Sequence, residues 1–171
     1  MQVELLALRL IHILSGIMWV GSGIFTTFFL APVLKSSPAV TGQVMAGLRR
    51  QRIFIVLPIV AALAILSGLR LLWIDSAGFA SSYFVTGTGK TFAMSALAAV
   101  VAYVLAYGVA LPAVLRAGVI GSSLAASPQS ADHAQLAVEL DRLRRRGTIA
   151  TTLAVAFGIL AASGMAIARY V

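Results

Sequence analysis

The chain has no cysteine, only two histidines and only five acidic residues among 171. The missing thiols exclude disulfides, cysteine-ligated iron–sulfur clusters, thiolate zinc sites and cysteine nucleophiles. The shortage of charge is equally informative. Charged residues make up 11% of the chain and hydrophobic ones 60%, whereas soluble globular chains are about a quarter charged and nearer half apolar. A mean hydropathy of +0.99 lies outside what a water-soluble domain of this size carries.

Long apolar runs stand in place of charge. A helix crossing a bilayer needs about 20 apolar residues, because the hydrocarbon core is about 30 Å thick and each residue rises about 1.5 Å. Four runs meet that length, over residues 5–34, 52–74, 89–115 and 147–170. They predict an all-α, single-domain bundle of four transmembrane helices. The first run continues past 20 residues without a small-residue cleavage site, so it reads as a retained helix rather than a removable signal. Pro32 and Pro112 fall near the far ends of the first and third spans, and Pro58 within the first turns of the second.

The connections differ in character. Residues 75–89 are turn-rich and aromatic, which suits a short segment at the membrane surface. Ser37 to Arg50 and Ser130 to Arg146 each begin with capping or turn residues and run into basic clusters. In the latter, Leu136, Leu140 and Leu143 recur at i, i+4 and i+7, giving one apolar helical face. Both segments are expected to extend the second and fourth helices beyond the bilayer.

Nine of the thirteen basic residues flank the first and third connections: Lys35, Arg49, Arg50, Arg52, Arg116, Arg142, Arg144, Arg145 and Arg146. Arg9, Arg70, Lys90 and Arg169 lie on the other side. The positive-inside rule then makes those two connections cytoplasmic and puts both termini outside. The formal charge of +8 sits beside apolar spans, so its expected partner is the anionic lipid of the cytoplasmic face and not nucleic acid. The layout is that of a multi-pass protein of a bacterial inner membrane. Arg49-Arg50 and Ser67-Gly68 recur 96 residues later as Arg145-Arg146 and Ser163-Gly164, and Pro32-Val-Leu-Lys35 resembles Pro112-Ala-Val-Leu-Arg116. Two duplicated helical hairpins of one orientation would produce this pattern, and so would chance matching of apolar helices with basic ends.

His12 is the only histidine inside a span. An ionisable group in a bilayer is costly and tends to face the bundle interior, which makes it a candidate site. It lies about 10 Å below the outer boundary by the helical rise. Arg70, Lys90, Met94 and Met165 fall at a similar depth on the other three helices. A histidine as axial ligand, a methionine as soft second ligand and two cations for propionates are the ingredients of a b-haem site. Copper would draw on the same histidine and methionines. Trp19 would stack on such a cofactor or pack within the bundle.

Each residue also has a plainer role. His12 can hydrogen-bond a serine or carbonyl of a neighbouring helix, Arg70 and Lys90 can snorkel to headgroups, and Met94 and Met165 can pack. His133 is expected on a solvated face. Gly16, Gly21 and Gly23 on the first helix, with Gly158, Ala162 and Gly164 on the fourth, are spaced for close helix contact. Gly89-Lys90-Thr91 matches the tail of a phosphate-binding loop, but the leading glycine is replaced by Phe84. The spans hold no serine-histidine-acid set and no carboxylate pair, which argues against hydrolysis.

The stretch Leu8-Arg-Leu-Ile-His12-Ile-Leu-Ser-Gly-Ile-Met-Trp19-Val-Gly21, with Pro32 beyond it, resembles the first helix of a group of four-helix bacterial membrane proteins. The group includes HemJ-type protoporphyrinogen oxidases, copper-resistance D-type proteins and related integral membrane proteins. Leu57-Pro58 through Trp73 is similar to their second helix, and Thr88-Gly89-Lys90 to the opening of their third. The resemblance implies a haem-b-associated redox role, with His12 and Lys90 matching the first-helix histidine and third-helix lysine. Phe28 to Leu34 stands where HemJ-type proteins carry an arginine and a further histidine. The alternative expectation is an accessory subunit of a larger respiratory or photosynthetic membrane complex, without chemistry of its own.

Overall fold

The computed structural model describes residues 2–126 and 132–171. The described residues are helical and form no strand. Four helices are long and apolar enough to cross a membrane: Gln2–Ser36, Ile53–Asp75, Gly87–Ala126 and His133–Tyr170. The chain is thus a multi-pass helical membrane protein. The first span packs on the second and the third on the fourth, and the two hairpins meet through second against third and first against fourth.

Packing follows a membrane logic. Small residues fill the inside of the bundle, while large apolar side chains such as Leu14, Ile17, Leu66 and Leu160 point outward. On the second span Ala61, Ala64 and Ser67 are buried at successive turns. On the fourth, Gly147, Ala150, Ala154, Gly158 and Ala161 form a buried seam spaced by three and four residues. Lipid tails are as apolar as leucine, so helices associate by close backbone approach and dispersion, which small residues permit. A Cβ on Gly147 would stand 3.4 Å from Val114, and one on Gly158 3.7 Å from Val20.

Of the six small residues expected to mediate contact between the first and fourth helices, the structure divides the work. Gly23 lies against Val155 and Gly158 against Val20, whereas Gly164 lies against Ser95 of the third span. Gly16 and Gly21 have open space where a side chain would be, and Ala162 is exposed.

Two spans contain a π-helical segment, Thr26–Leu30 in the first and Val104–Ala110 in the third. Each is followed by a proline, Pro32 and Pro112. A proline has no N–H to donate and its ring crowds the carbonyl four residues back, which here is Phe28 or Gly108, inside the π segment. The extra residue in the turn relieves that crowding. Pro58 sits so near the start of Ile53–Asp75 that the α-helix carries it without a π segment.

The segment before the second span does not extend it. Pro38–Arg50 is a separate helix, ended at Gln51 and Arg52, where Arg52 adopts the left-handed φ of 55°. The fourth helix is continuous from His133 to Ile167, so the amphipathic segment does prolong it. Leu140 is buried there, and Arg116 pairs with Glu139 at 3.1 Å to tie it to the extended third helix. Residues 130 and 131 of that expected segment lie outside the described residues. His133 departs from the solvated face expected of it: it is half-buried, and its Nδ1 is shielded without a hydrogen-bond partner among the described residues.

Between the second and third spans, Ala77, Gly78 and Phe79 all have positive φ. Buried Ser76 stabilises that turn by accepting a hydrogen bond from the Phe79 N–H at 2.9 Å. Thr86 caps the third span by accepting from the Gly89 N–H at 3.0 Å. At the same end of the bundle the Thr88 hydroxyl donates to the Val171 carbonyl at 3.1 Å.

Candidate functional site

His12 projects from the first span onto the second. Its Nδ1 lies 2.7 Å from the Ala64 carbonyl oxygen. A carbonyl can only accept, so Nδ1 carries the proton and Nε2 of the neutral ring keeps its lone pair. The ring has room because of Gly68: a Cβ there would stand 2.7 Å from His12 Cε1 and 2.9 Å from Nδ1. Ser67 Oγ, one residue earlier, also donates to the Ala64 carbonyl, at 3.1 Å. Nε2 has no hydrogen-bond partner among the described residues and is not sealed inside the bundle.

Arg70 is committed to a partner that the sequence reading did not single out. Its Nε and Nη2 reach one carboxylate oxygen of Glu4, at 3.2 and 2.7 Å. Both side chains are about half exposed, 49% and 45%. With Trp73 and Gly78 they line an open hollow of about 270 Å³ at the ends of the first two spans. A second hollow lies between the middle of the third span and the stretch of the fourth from Arg142 to Leu153, and neither is lined by His12.

The remaining expected residues are dispersed. Lys90 is exposed at the start of the third span, next to Gly89, which is pressed on the Tyr83 carbonyl. Met94 is 65% exposed and points out of the bundle. Met165 is half-buried on the fourth span, next to the glycine that receives Ser95. Trp19 lies about two turns deeper than His12 and reaches across the bundle, edge-on to Tyr103 with ring centroids 6.3 Å apart. Tyr103 stacks edgewise on Tyr107 at 5.0 Å, completing an aromatic trio between the first and third spans. No hydrogen bond or ion pair among the described residues joins any two of the six.

Among the described residues no three His, Asp or Glu side chains gather into a metal-binding group. The arrangement therefore offers one oriented imidazole nitrogen in the first hairpin, the Glu4–Arg70 ion pair nearer the end that holds the N-terminus, and an aromatic trio farther in. Comparison with protein-family models, with curated proteins and with solved structures finds no match for this chain.

Proposed function

We propose that the chain is a small subunit of the bacterial inner membrane in which His12 supplies an axial ligand to a b-type haem on the outward half of the first hairpin. With Met94 facing outward, a second ligand and the rest of the pocket would have to come from elsewhere, such as a neighbouring membrane subunit. The observation that carries this reading is the 2.7 Å bond from Nδ1 to the Ala64 carbonyl. Histidines that ligate metals ordinarily donate their other ring N–H to a carbonyl or carboxylate, which fixes the tautomer and the ring orientation. The oriented imidazole would supply one ligand through Nε2. The donor set does not enclose a haem, since neither hollow is lined by His12 and Met94 faces outward. Haem, when bound, supplies one-electron chemistry. The chain's own part is to orient Nε2 through Ala64 and Gly68 and to hold Arg70, with Lys90 at the same end, as cations for propionates. The likeness to HemJ-type and copper-resistance D-type proteins at His12 and Lys90 supports the same reading. The distribution of lysine and arginine supports placing both termini outside, and the paired Pro32 and Pro112 motifs support duplicated hairpins.

The experiment is an absorption spectrum, oxidised and reduced, of wild type and His12→Ala, each isolated in mild detergent alone and with whatever membrane proteins accompany it. Haem bands in wild type that vanish in the variant are the expected result. Their absence from every preparation, under haem-replete expression, overturns it.

One observation favours a second reading, an accessory subunit without a cofactor. The first span has no buried residue along its apolar window, leaving Gly16 and Gly21 open for a neighbouring helix. Recovery of a colourless protein within a large membrane complex would select it. Copper handling rests on the same Nε2, and metal analysis of the purified protein separates it from both.

A further inference from the structure

We infer that the apolar hollow between the middle of the third span and the start of the apolar stretch of the fourth is a binding site for one anionic glycerophospholipid, its acyl chains on Leu105, Val109 and Leu153 and its phosphate at the rim on exposed Arg142, Arg145 and Arg146. The hollow has a volume of about 400 Å³ and is lined by these six residues together with Ile149 and Ala150. Positions 142, 145, 146, 149 and 153 follow the three-and-four spacing of one helical face. That face is cationic for one turn and apolar for the next two, over about 10 Å from Arg146 to Leu153 by the helical rise. The opposite wall comes from the π-helical segment Val104–Ala110, where Leu105 and Val109 lie one turn apart. A π segment displaces the side chains beyond it from the regular helical stripe, and such segments recur at binding sites.

Charge complementarity identifies the occupant. The ion pairs among the described residues are Arg70 with Glu4 and Arg116 with Glu139, so none of the three groove arginines has a carboxylate partner there. The undescribed residues 127–131 contain no acid. An arginine trio beside a helical span attracts phosphate, and guanidinium groups bind it in paired hydrogen bonds. A free phosphate would satisfy the cations and leave the apolar wall without a use, whereas a phospholipid covers both. This inference is independent of the haem reading.

The fourth helix supplies its own control, because Arg144 is exposed on the same helix but does not line the hollow. Arg144→Gln, Arg145→Gln and Leu153→Trp would be purified with wild type, delipidated, and exposed to mixed micelles of phosphatidylglycerol and phosphatidylethanolamine. Retained lipid would be counted by native mass spectrometry. One phosphatidylglycerol per chain is expected on wild type. Arg145→Gln should retain it roughly fivefold less well, Arg144→Gln about as wild type, and Leu153→Trp should lose it by filling the hollow without altering charge. Equal loss in Arg144→Gln and Arg145→Gln, equal retention of the two lipids, or retention by Leu153→Trp would each overturn the inference. So would displacement of the lipid by millimolar inorganic phosphate, which would make the site one for phosphate alone.

Discussion

His12 and Gly68 occupy each other's space: the imidazole lies where a side chain at position 68 would begin, with 2.7 Å between Cε1 and the place a Cβ would take. The glycine thus sets the depth of the ring, and the Ala64 carbonyl sets its rotation. Gly68→Ala must displace the imidazole or separate the first two spans, at a cost of about 1–3 kcal/mol for overpacking. His12→Ala should cost about 1 kcal/mol, the scale of one interhelical hydrogen bond in a membrane. The double variant should recover the stability lost in Gly68→Ala and still fail to bind haem. Detergent-unfolding curves and Soret absorbance on the same samples separate the two effects, and a Gly68→Ala protein as stable as wild type would refute the interlock.

A second close approach joins the third and fourth spans. A Cβ on Gly164 would overlap Ser95 Oγ yet stand 3.4 Å from Ser95 Cβ, an ordinary contact. Gly164→Ala is therefore expected to destabilise the hairpin by about 1–3 kcal/mol, and removal of the hydroxyl in Ser95→Ala to restore most of the loss. A double-mutant cycle should show coupling of about 0.5–3 kcal/mol. Additive effects would mean that the helices shift apart instead of resting on this pair.

The bundle was legible because hydrophobic length is a strong signal: four runs near 20 residues leave few alternatives. Helix ends were less so. Nothing in the hydropathy of Gln51-Arg52 marks the left-handed turn that separates Pro38–Arg50 from the second span, and the third helix continues to Ala126, beyond the expected boundary at 115. The site was legible only as single residues. Depth along a helix can be counted, but azimuth cannot, and it is azimuth that directs Met94 outward while its neighbour Ser95 is buried. Glu4 offered a usable signal, a carboxylate at the same end as Arg70 in a chain with only five acids. The carbonyl of Ala64 offered none, since backbone acceptors leave no mark in composition.

The Glu4–Arg70 pair allows stability and cofactor binding to be told apart. Each side chain is about half exposed, so breaking the pair by Glu4→Gln or by Arg70→Gln should cost less than about 1 kcal/mol and less still in high salt. On haem retention the two should act in opposite directions. Glu4→Gln frees the guanidinium for a propionate and is expected to tighten binding, while Arg70→Gln removes it and should weaken binding. Haem titration of the two variants at matched salt checks the sign. Identical effects would remove Arg70 from the proposed site.

Tyr83 provides a pH-dependent probe of the connection between the second and third spans. Burial comes first, then the hydrogen bond to Asp75 and the negative charge of that carboxylate, in holding the phenol neutral; nearby Arg169 opposes them, and the result is a pKa pushed up to about 12 from 10. The folded state therefore keeps this proton between pH 10 and 12 while the unfolded chain releases it. Stability from the Tyr83–Asp75 contact is fully present below pH 10 and is lost as pH rises toward 12. Tyrosinate absorbance in folded protein should show a group titrating near pH 12 that is absent from Tyr83→Phe. Asp75→Asn removes the neighbouring charge and should bring that titration back toward 10, without restoring it fully because burial remains. If the titration near pH 12 is unchanged in Tyr83→Phe, the connection is not held by this pair, and Asp75 is free to act elsewhere at that end of the bundle.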